Sequence, residues 1–285
     1  MFWNIFINQN TMILKRRLFL VEALLLGLLV LGILLAIFMA VEENQSSTGM
    51  LADERNMLLE TLTWPEAWNN VIRLGGWDGL APFFLIILVG ATTAQEYSWR
   101  TLQIWLSRGI SRPALMLAKL ASLLLAGLLL MLTVLMIGGL TTAVFSSVIN
   151  GSLNLSQIDL SHLVLSVIRA VYTVMPYASL TFFLAVASRS TVVAVSGGLA
   201  YALLLENLIM SGAGLLGREF SRLALNLPGG LANSLMALNK ASLGMGNNTG
   251  MTLLPPVHAS IGIAAWILFF LGLSLWVFQR QDLAD

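Results

Sequence analysis

Three glutamates lie within or beside long apolar stretches of the sequence, where an ionisable side chain is energetically costly. They are Glu22, Glu96 and Glu206. A carboxylate inside a membrane-spanning helix can bind a cation or relay a proton along a transport pathway. Glu206 lies near the outer end of its apolar run, so we predict it as a candidate pathway or outer-gate residue.

Glu206 and Glu22 also have structural interpretations that need no transport chemistry. Glu206 could reach the external interface, or it could pair with Arg169 or Arg218. Glu22 is close in sequence to the basic residues 15–17 and could form an ion pair with them. The sequence favours these structural interpretations over a transport role for both residues.

Residues suited to enzymatic chemistry are scarce. The chain has no cysteine, and its two histidines, His162 and His258, are far apart and lack any HExxH-like spacing. It has no Gly-x-x-x-x-Gly-Lys-Ser/Thr motif, and no Gly-Lys pair at all. We therefore expect a protein that is not an enzyme, with no metal and no cofactor bound by this chain.

Composition defines the broad class of protein. Of 285 residues, 58% are hydrophobic and 10% are charged, and the mean hydropathy is +0.85. A soluble domain carries about 25% charged residues, so this composition indicates an integral membrane protein. The net charge of +1 argues against a nucleic-acid partner, because a phosphate-binding face needs an excess of basic residues.

Apolar runs long enough to cross a membrane predict an all-α fold with six transmembrane helices. The chain 1–285 is then a single transmembrane domain. The predicted spans are residues 18–41, 79–95, 120–148, 163–187, 191–210 and 257–278.

The segments outside the spans divide by charge and length. Residues 42–78 and 211–256 form the two large external regions, and 42–78 is acidic. Residues 1–17 predict an N-terminal helix lying on the inner leaflet. The positive-inside rule then places both termini in the cytoplasm. Three tryptophans of the first external region, Trp64, Trp68 and Trp77, are typical of interfacial anchors.

A basic, amphipathic segment separates the second and third spans. Between Ser98 and Ser107, four apolar side chains recur at helical spacing: Trp99, Leu102, Trp105 and Leu106. This spacing predicts a short interfacial helix on the cytoplasmic side. Glu96, which ends the second span, could cap this helix or form a salt bridge with Arg100 or Arg112.

This segment resembles the corresponding loop of the ABC-2 type permeases of ABC transporters. In that family a glutamate, a short coupling helix, a small residue followed by arginine, and a later lysine join the second and third spans. The matching residues here are Glu96, the helix ending near Ser107, the pair Ser111-Arg112, and Lys119. The six-span layout extends the resemblance over nearly the whole chain.

The resemblance implies a permease subunit of an ATP-driven exporter in a bacterial or archaeal plasma membrane. ATP and Mg would be bound by a separate ABC ATP-binding subunit, and the permease would work as a homodimer or heterodimer surrounded by membrane lipid. The residues that would couple to the ATPase are Glu96, Trp99, Arg100, Leu102, Trp105, Leu106 and Arg112.

Two other features bear on how the chain works. Ala194, Gly198 and Ala202 recur every four residues in the fifth span, and small residues in this register predict close helix packing. A secondary transporter is the main alternative function. It would favour an internal repeat and charged residues at mid-membrane. An intramembrane enzyme is a further alternative, but the sequence contains no paired aspartates and no Ser-His motif to support it.

Overall fold

The fold consists of helices throughout the residues that the structure describes. A computed structural model describes residues 2–43, 58–99, 101–107, 109–151, 160–213, 215, 217–241 and 253–281. The helices are α1 (Phe2–Leu14), α2 (Arg17–Glu43), α3 (Ala67–Gly75), α4 (Ala81–Ser98), α5 (Thr101–Ser107), α6 (Arg112–Asn150), α7 (Leu160–Ser188), α8 (Thr191–Ala213), α9 (Arg218–Leu225), α10 (Pro228–Ala241) and α11 (Pro256–Arg280).

Five of these helices are long and apolar enough to cross a membrane. They are α2, α6, α7, α8 and α11. Their exposed faces are rich in leucine, valine and isoleucine, which suits contact with lipid. The predicted helical membrane protein is therefore confirmed, and five of the six predicted spans have helices of this kind.

The remaining predicted span corresponds to α4, which is less apolar and largely buried. Small and polar side chains fill its second half, including Gly90, Thr92, Thr93 and Ala94. Helices α7, α8, α6 and α2 all pack against α4. Because neighbouring helices cover most of its surface, α4 does not need a continuous apolar surface.

The region predicted to be the first external one folds back onto the helices. The indole Nε1 of Trp64 donates to Thr142 Oγ1 at 3.0 Å, and Trp64 also packs against Trp68. Trp77 donates to Asn233 Oδ1 of α10 at 3.2 Å. These contacts hold α3 and its flanks against α6 and α10, and the predicted role of the three tryptophans as interfacial anchors stays a prediction.

Helix α1 packs along α6 by the face that contains Ile5, Gln9 and Ile13, all of which are buried. Trp3 and Ile7 are exposed on its other side. A helix is thus present at the predicted N-terminal position. Its apolar residues are divided between the protein and an outer surface that suits the membrane interface.

Helix α8 contains one wide turn. Residues Tyr201–Leu205 form a π-helical turn, in which the Glu206 amide donates to the carbonyl of Tyr201, five residues earlier. Such turns occur mostly as single bulges inside α-helices and are frequent at functional sites. Here the wide turn directly precedes the buried Glu206.

The repeat of small residues in α8 packs against helices of the same chain. A Cβ atom on Gly198 would lie 2.5 Å from Thr181 Oγ1 and 2.9 Å from Ile86 Cγ2. Ala194 is fully buried, and Ala202 is half-buried. The small residues therefore allow α8 to approach α7 and α4 closely, as the four-residue spacing predicted.

Candidate functional sites

A buried ion pair joins α4 to α6 beside the predicted coupling segment. Lys119 Nζ lies 2.6 Å from Glu96 Oε2, and the two side chains are 1% and 3% exposed. The ammonium also donates to the carbonyl of Thr92 at 3.4 Å. Glu96 therefore pairs with Lys119 and not with Arg112, so the predicted pairing with Arg112 is wrong. Arg100 lies outside the described residues.

A second basic residue, in the link between α1 and α2, contacts the end of α4. Arg16 Nη1 donates to Gln95 Oε1 at 3.0 Å, and its guanidinium lies 5.1 Å from the centre of the Trp99 ring. Burial lowers the pKa of the Arg16 guanidinium from its ordinary value, while the Glu96 carboxylate raises it. The end of α4 is thus fixed by contacts from the link between α1 and α2 and from α6.

The predicted coupling helix begins later than the sequence suggested. Helix α4 continues through Ser98, and α5 runs only from Thr101 to Ser107. The Thr101 hydroxyl donates to the carbonyl of Glu96 at 3.3 Å and links the two helices. Gly109, at a φ of +78°, follows α5 in a conformation that favours glycine.

The apolar residues of this segment face in two directions. Leu102 is 2% exposed, and Trp105 and Leu106 pack partly against the main core. Trp99 and Ile104 are 58% and 52% exposed. The outward apolar surface is therefore formed by Trp99 and Ile104, whereas Leu102, Trp105 and Leu106 hold α5 to the bundle.

Arg112 caps the end of the last span. Its Nη1 donates to the carbonyl oxygens of Phe278, Gln279 and Gln281 at 2.9, 3.0 and 3.0 Å. These carbonyls lie at the C-terminus of α11, where helical hydrogen bonds run out and a cation is favourable. Arg112 thus ties the start of α6 to the end of α11, next to α5.

Glu206 lies on the far side of the bundle from this segment and is fully buried. The Tyr177 hydroxyl donates to its Oε2 at 2.7 Å, and the backbone amide of Gly229 donates to Oε1. The prediction that Glu206 reaches the external interface is wrong. Arg169 does not pair with it and instead donates to Asn239, and the side chain of Arg218 lies outside the described part.

Glu206 therefore connects three elements through its carboxylate. Tyr177 belongs to α7, Glu206 to α8, and Gly229 to the first turn of α10. The amides of a helix N-terminus favour a negative group. In the part of the chain that the structure describes, no Lys or Arg forms an ion pair with Glu206.

Aromatic rings surround this carboxylate. The Trp77 and Tyr177 rings are nearly parallel, with centres 6.3 Å apart, and the Tyr201 ring lies 6.3 Å from that of Tyr177. The Tyr201 hydroxyl is buried and has no hydrogen-bond partner in the described residues. A Cβ atom on Gly229 would meet the Trp77 ring at 2.8 Å, so a glycine is needed there.

A cavity of about 240 Å³ adjoins this cluster. Its walls combine three aromatic rings, one carboxylate, one amide and small apolar groups. They are formed by Trp77, Asp78, Pro82, Phe83, Tyr177, Ala202, Leu203 and Asn207. Tyr177 lines the cavity, and its hydroxyl donates a hydrogen bond to Glu206. A molecule in the cavity would therefore contact the side chain that holds the carboxylate.

The third glutamate, Glu22, is buried in α2, and neither carboxylate oxygen has a hydrogen-bond partner among the described residues. The predicted ion pair with residues 15–17 is therefore absent there. Sequence reasoning also missed Tyr177 and Gly229 as the partners of Glu206. A tyrosine beside the helix proline Pro176 was the one local signal that could have drawn attention to α7.

Comparison with known families gives one match. The model of the family described as "Protein of unknown function (DUF2705)" matches residues 66–284, which include α3 to α11 and both sites described above. The first span, α2, precedes the matched region. No curated protein matches this chain.

Proposed function

This chain belongs to the DUF2705 family, and we propose that it is the membrane-spanning permease subunit of an ATP-driven ABC exporter. ATP and Mg would be bound by a separate ATP-binding subunit that docks on α5. The permease would form the substrate pathway as a homodimer or heterodimer in the plasma membrane. The proposal rests on the contacts around α5.

The observation that supports it most is the way α5 is connected to the bundle. The buried pair Glu96–Lys119 joins the helices before and after α5. Leu102 of α5 is buried against the bundle, and Arg112 connects the start of α6 to the end of α11. A force applied to α5 would therefore reach α4, α6 and α11 through rigid contacts, which is what a coupling helix requires.

The topology proposed with this function has six spans, with α4 as the second, and both termini in the cytoplasm. The native chain lacks cysteine, so single cysteines report without background. Ser107→Cys, in α5, should react with an impermeant maleimide only after the inner face is opened. Asn248→Cys should react in intact cells, and reaction of both from one side would contradict this topology.

Docking is tested on the outward surface of α5. Ile104→Asp should remove an apolar contact with the ATPase, because Ile104 is half exposed and makes little of the internal packing. We expect loss of the co-purifying ATPase and of transport-linked ATP hydrolysis in liposomes. Buried apolar anchors contribute roughly 2 kcal/mol or more to such contacts.

The matched control for this experiment is Ile7→Asp, which alters an equally exposed isoleucine on the neighbouring α1. It should retain the ATPase. The double variant Trp105→Ala/Leu106→Ala should also reduce binding, but through loosened packing of α5, and should lower the unfolding midpoint as well. If Ile104→Asp retains the ATPase at the wild-type level, α5 is an interfacial loop and not a docking helix.

A secondary transporter without an ATPase is the second candidate function. One observation favours it, namely the buried Glu206 inside a membrane helix with only neutral partners among the described residues. Transport in liposomes that contain the purified chain alone, driven by an ion gradient and unaffected by ATP, would support this alternative and contradict the permease proposal.

A further inference from the structure

The cavity beside Glu206 has the chemistry of a site for an organic cation. Trp77, Phe83 and Tyr177 contribute aromatic rings, and Asp78 contributes a carboxylate. The described lining residues include no lysine or arginine. Aromatic faces attract ammonium groups through their quadrupoles, and sites for quaternary ammonium groups are built in this way.

Carboxylates near the cavity also favour a cation as the ligand. Asp78 lies 3.7 Å from Arg73, but both side chains are substantially exposed, so this pair is a weak surface contact. Glu206 adds a second carboxylate behind Tyr177, and its described partners are a hydroxyl and a backbone amide. Two carboxylates therefore lie in or directly behind the cavity wall, and Arg73 offsets one of them.

The size of the cavity limits the ligand it could hold. The volume of about 240 Å³ lies a little below the range of roughly 300–1,000 Å³ for pockets that hold drug-sized ligands. A small amine with an apolar body fits this space.

We propose that the cavity lined by Trp77, Phe83, Tyr177 and Asn207 binds a small organic cation, a primary amine or quaternary ammonium compound with an apolar body. Only the identification of this cation as exported cargo rests on the proposed permease function. Binding itself depends on the cavity alone.

The test uses the full-length protein in lipid nanodiscs and radiolabelled benzyltrimethylammonium as the probe. We expect saturable binding that unlabelled benzyltrimethylammonium displaces. Phenylacetate, an anion of similar size, should not displace it. Absence of saturable binding, or equal displacement by phenylacetate, would overturn the proposal.

Substitutions at Asn207 test the charge requirement without disturbing the core, because this residue is exposed and its amide bonds only to its own helix. Asn207→Asp should tighten binding roughly tenfold and Asn207→Lys should weaken it by at least that factor, because a unit charge beside the ligand attracts or repels the cation directly. Ser211→Asp and Ser211→Lys are matched controls one turn further along α8 and away from the described lining. They should change the Kd less than about twofold, because exposed charges that are farther away are screened by salt.

The aromatic requirement is tested by Trp77→Leu, which should weaken binding roughly tenfold through loss of the ring face.

Failure of the cation-binding proposal can be told apart from failure of the permease proposal. If the probe does not bind but the ATPase still co-purifies, the cavity inference fails alone. If the probe binds and no ATPase docks on α5, the site stands and the permease proposal fails.

Discussion

Glu96 and Glu206 are both buried glutamates at opposite ends of the helix bundle, but they are compensated in different ways. Glu96 is sealed against Lys119 at 2.6 Å, so its negative charge meets a full positive charge. Glu206 meets a tyrosine hydroxyl and a backbone amide, which supply hydrogen bonds but no charge. The comparison separates an ion pair that holds two helices together from a carboxylate that only neutral donors hold in place.

The largest effect is expected from removing one member of the charged pair. Lys119→Met leaves the Glu96 carboxylate buried without a cation, which should lower the free energy of unfolding by about 3–5 kcal/mol. SDS titration of the purified protein, followed by far-UV circular dichroism, measures this. The double variant Glu96→Gln/Lys119→Met should recover most of the loss, because no charge is then left unpaired. Equal losses in single and double variants would show that packing rather than charge is what matters here.

A smaller effect is expected at the contact between Glu206 and α10. Gly229→Ala places a Cβ atom 2.8 Å from the Trp77 ring and 3.0 Å from Glu206 Oε1. Such overpacking should cost about 1–3 kcal/mol, measured by the same titration. Gly212→Ala is the control, because a Cβ atom there meets nothing within 4 Å. It should be neutral or slightly stabilising, and a loss as large as that of Gly229→Ala would argue against a tight contact with Trp77.

The smallest effect on stability is expected from Glu206→Gln. The amide oxygen can still accept from the Gly229 amide, and the amide nitrogen can donate to the Tyr177 hydroxyl oxygen, so the free energy of unfolding should change by about 1 kcal/mol or less. Glu96→Gln, its counterpart at the other end, should cost several times more because it strands the Lys119 ammonium. Similar costs for the two variants would remove the distinction between the sites. Glu206→Gln should nevertheless weaken binding of an organic cation.

The sequence predicted the spans well because hydropathy depends on single residues and their neighbours. The apolar runs at 18–41, 163–187 and 257–278 correspond closely to α2, α7 and α11. Helix α6 is longer than predicted and begins at Arg112, because residues 112–119, which were assigned to the connecting segment, are already helical. The predicted second span forms a helix that its neighbours enclose, a property that hydropathy does not report.

The partners of the glutamates were not predictable in the same way. Glu96 and Lys119 come together only because α5 turns the chain back, and their separation in sequence matches no helical or strand period. Tyr177 and Gly229 reach Glu206 from elements on either side of α8. A carboxylate in an apolar run could be recognised as unusual from the sequence, but the identity of its partners depends on the packing of three helices.

The wide turn in α8 determines where Glu206 points. In a regular α-helix each residue advances by about 100°, so a residue twelve positions after Ala194 would lie roughly 120° around the axis from it. The π-helical turn at Tyr201–Leu205 absorbs one extra residue. Glu206 then falls in the angular position of an eleventh residue, only about 20° from Ala194. One surplus residue thus keeps the carboxylate on the same inward side as the small residues, where a regular helix would have turned it toward lipid.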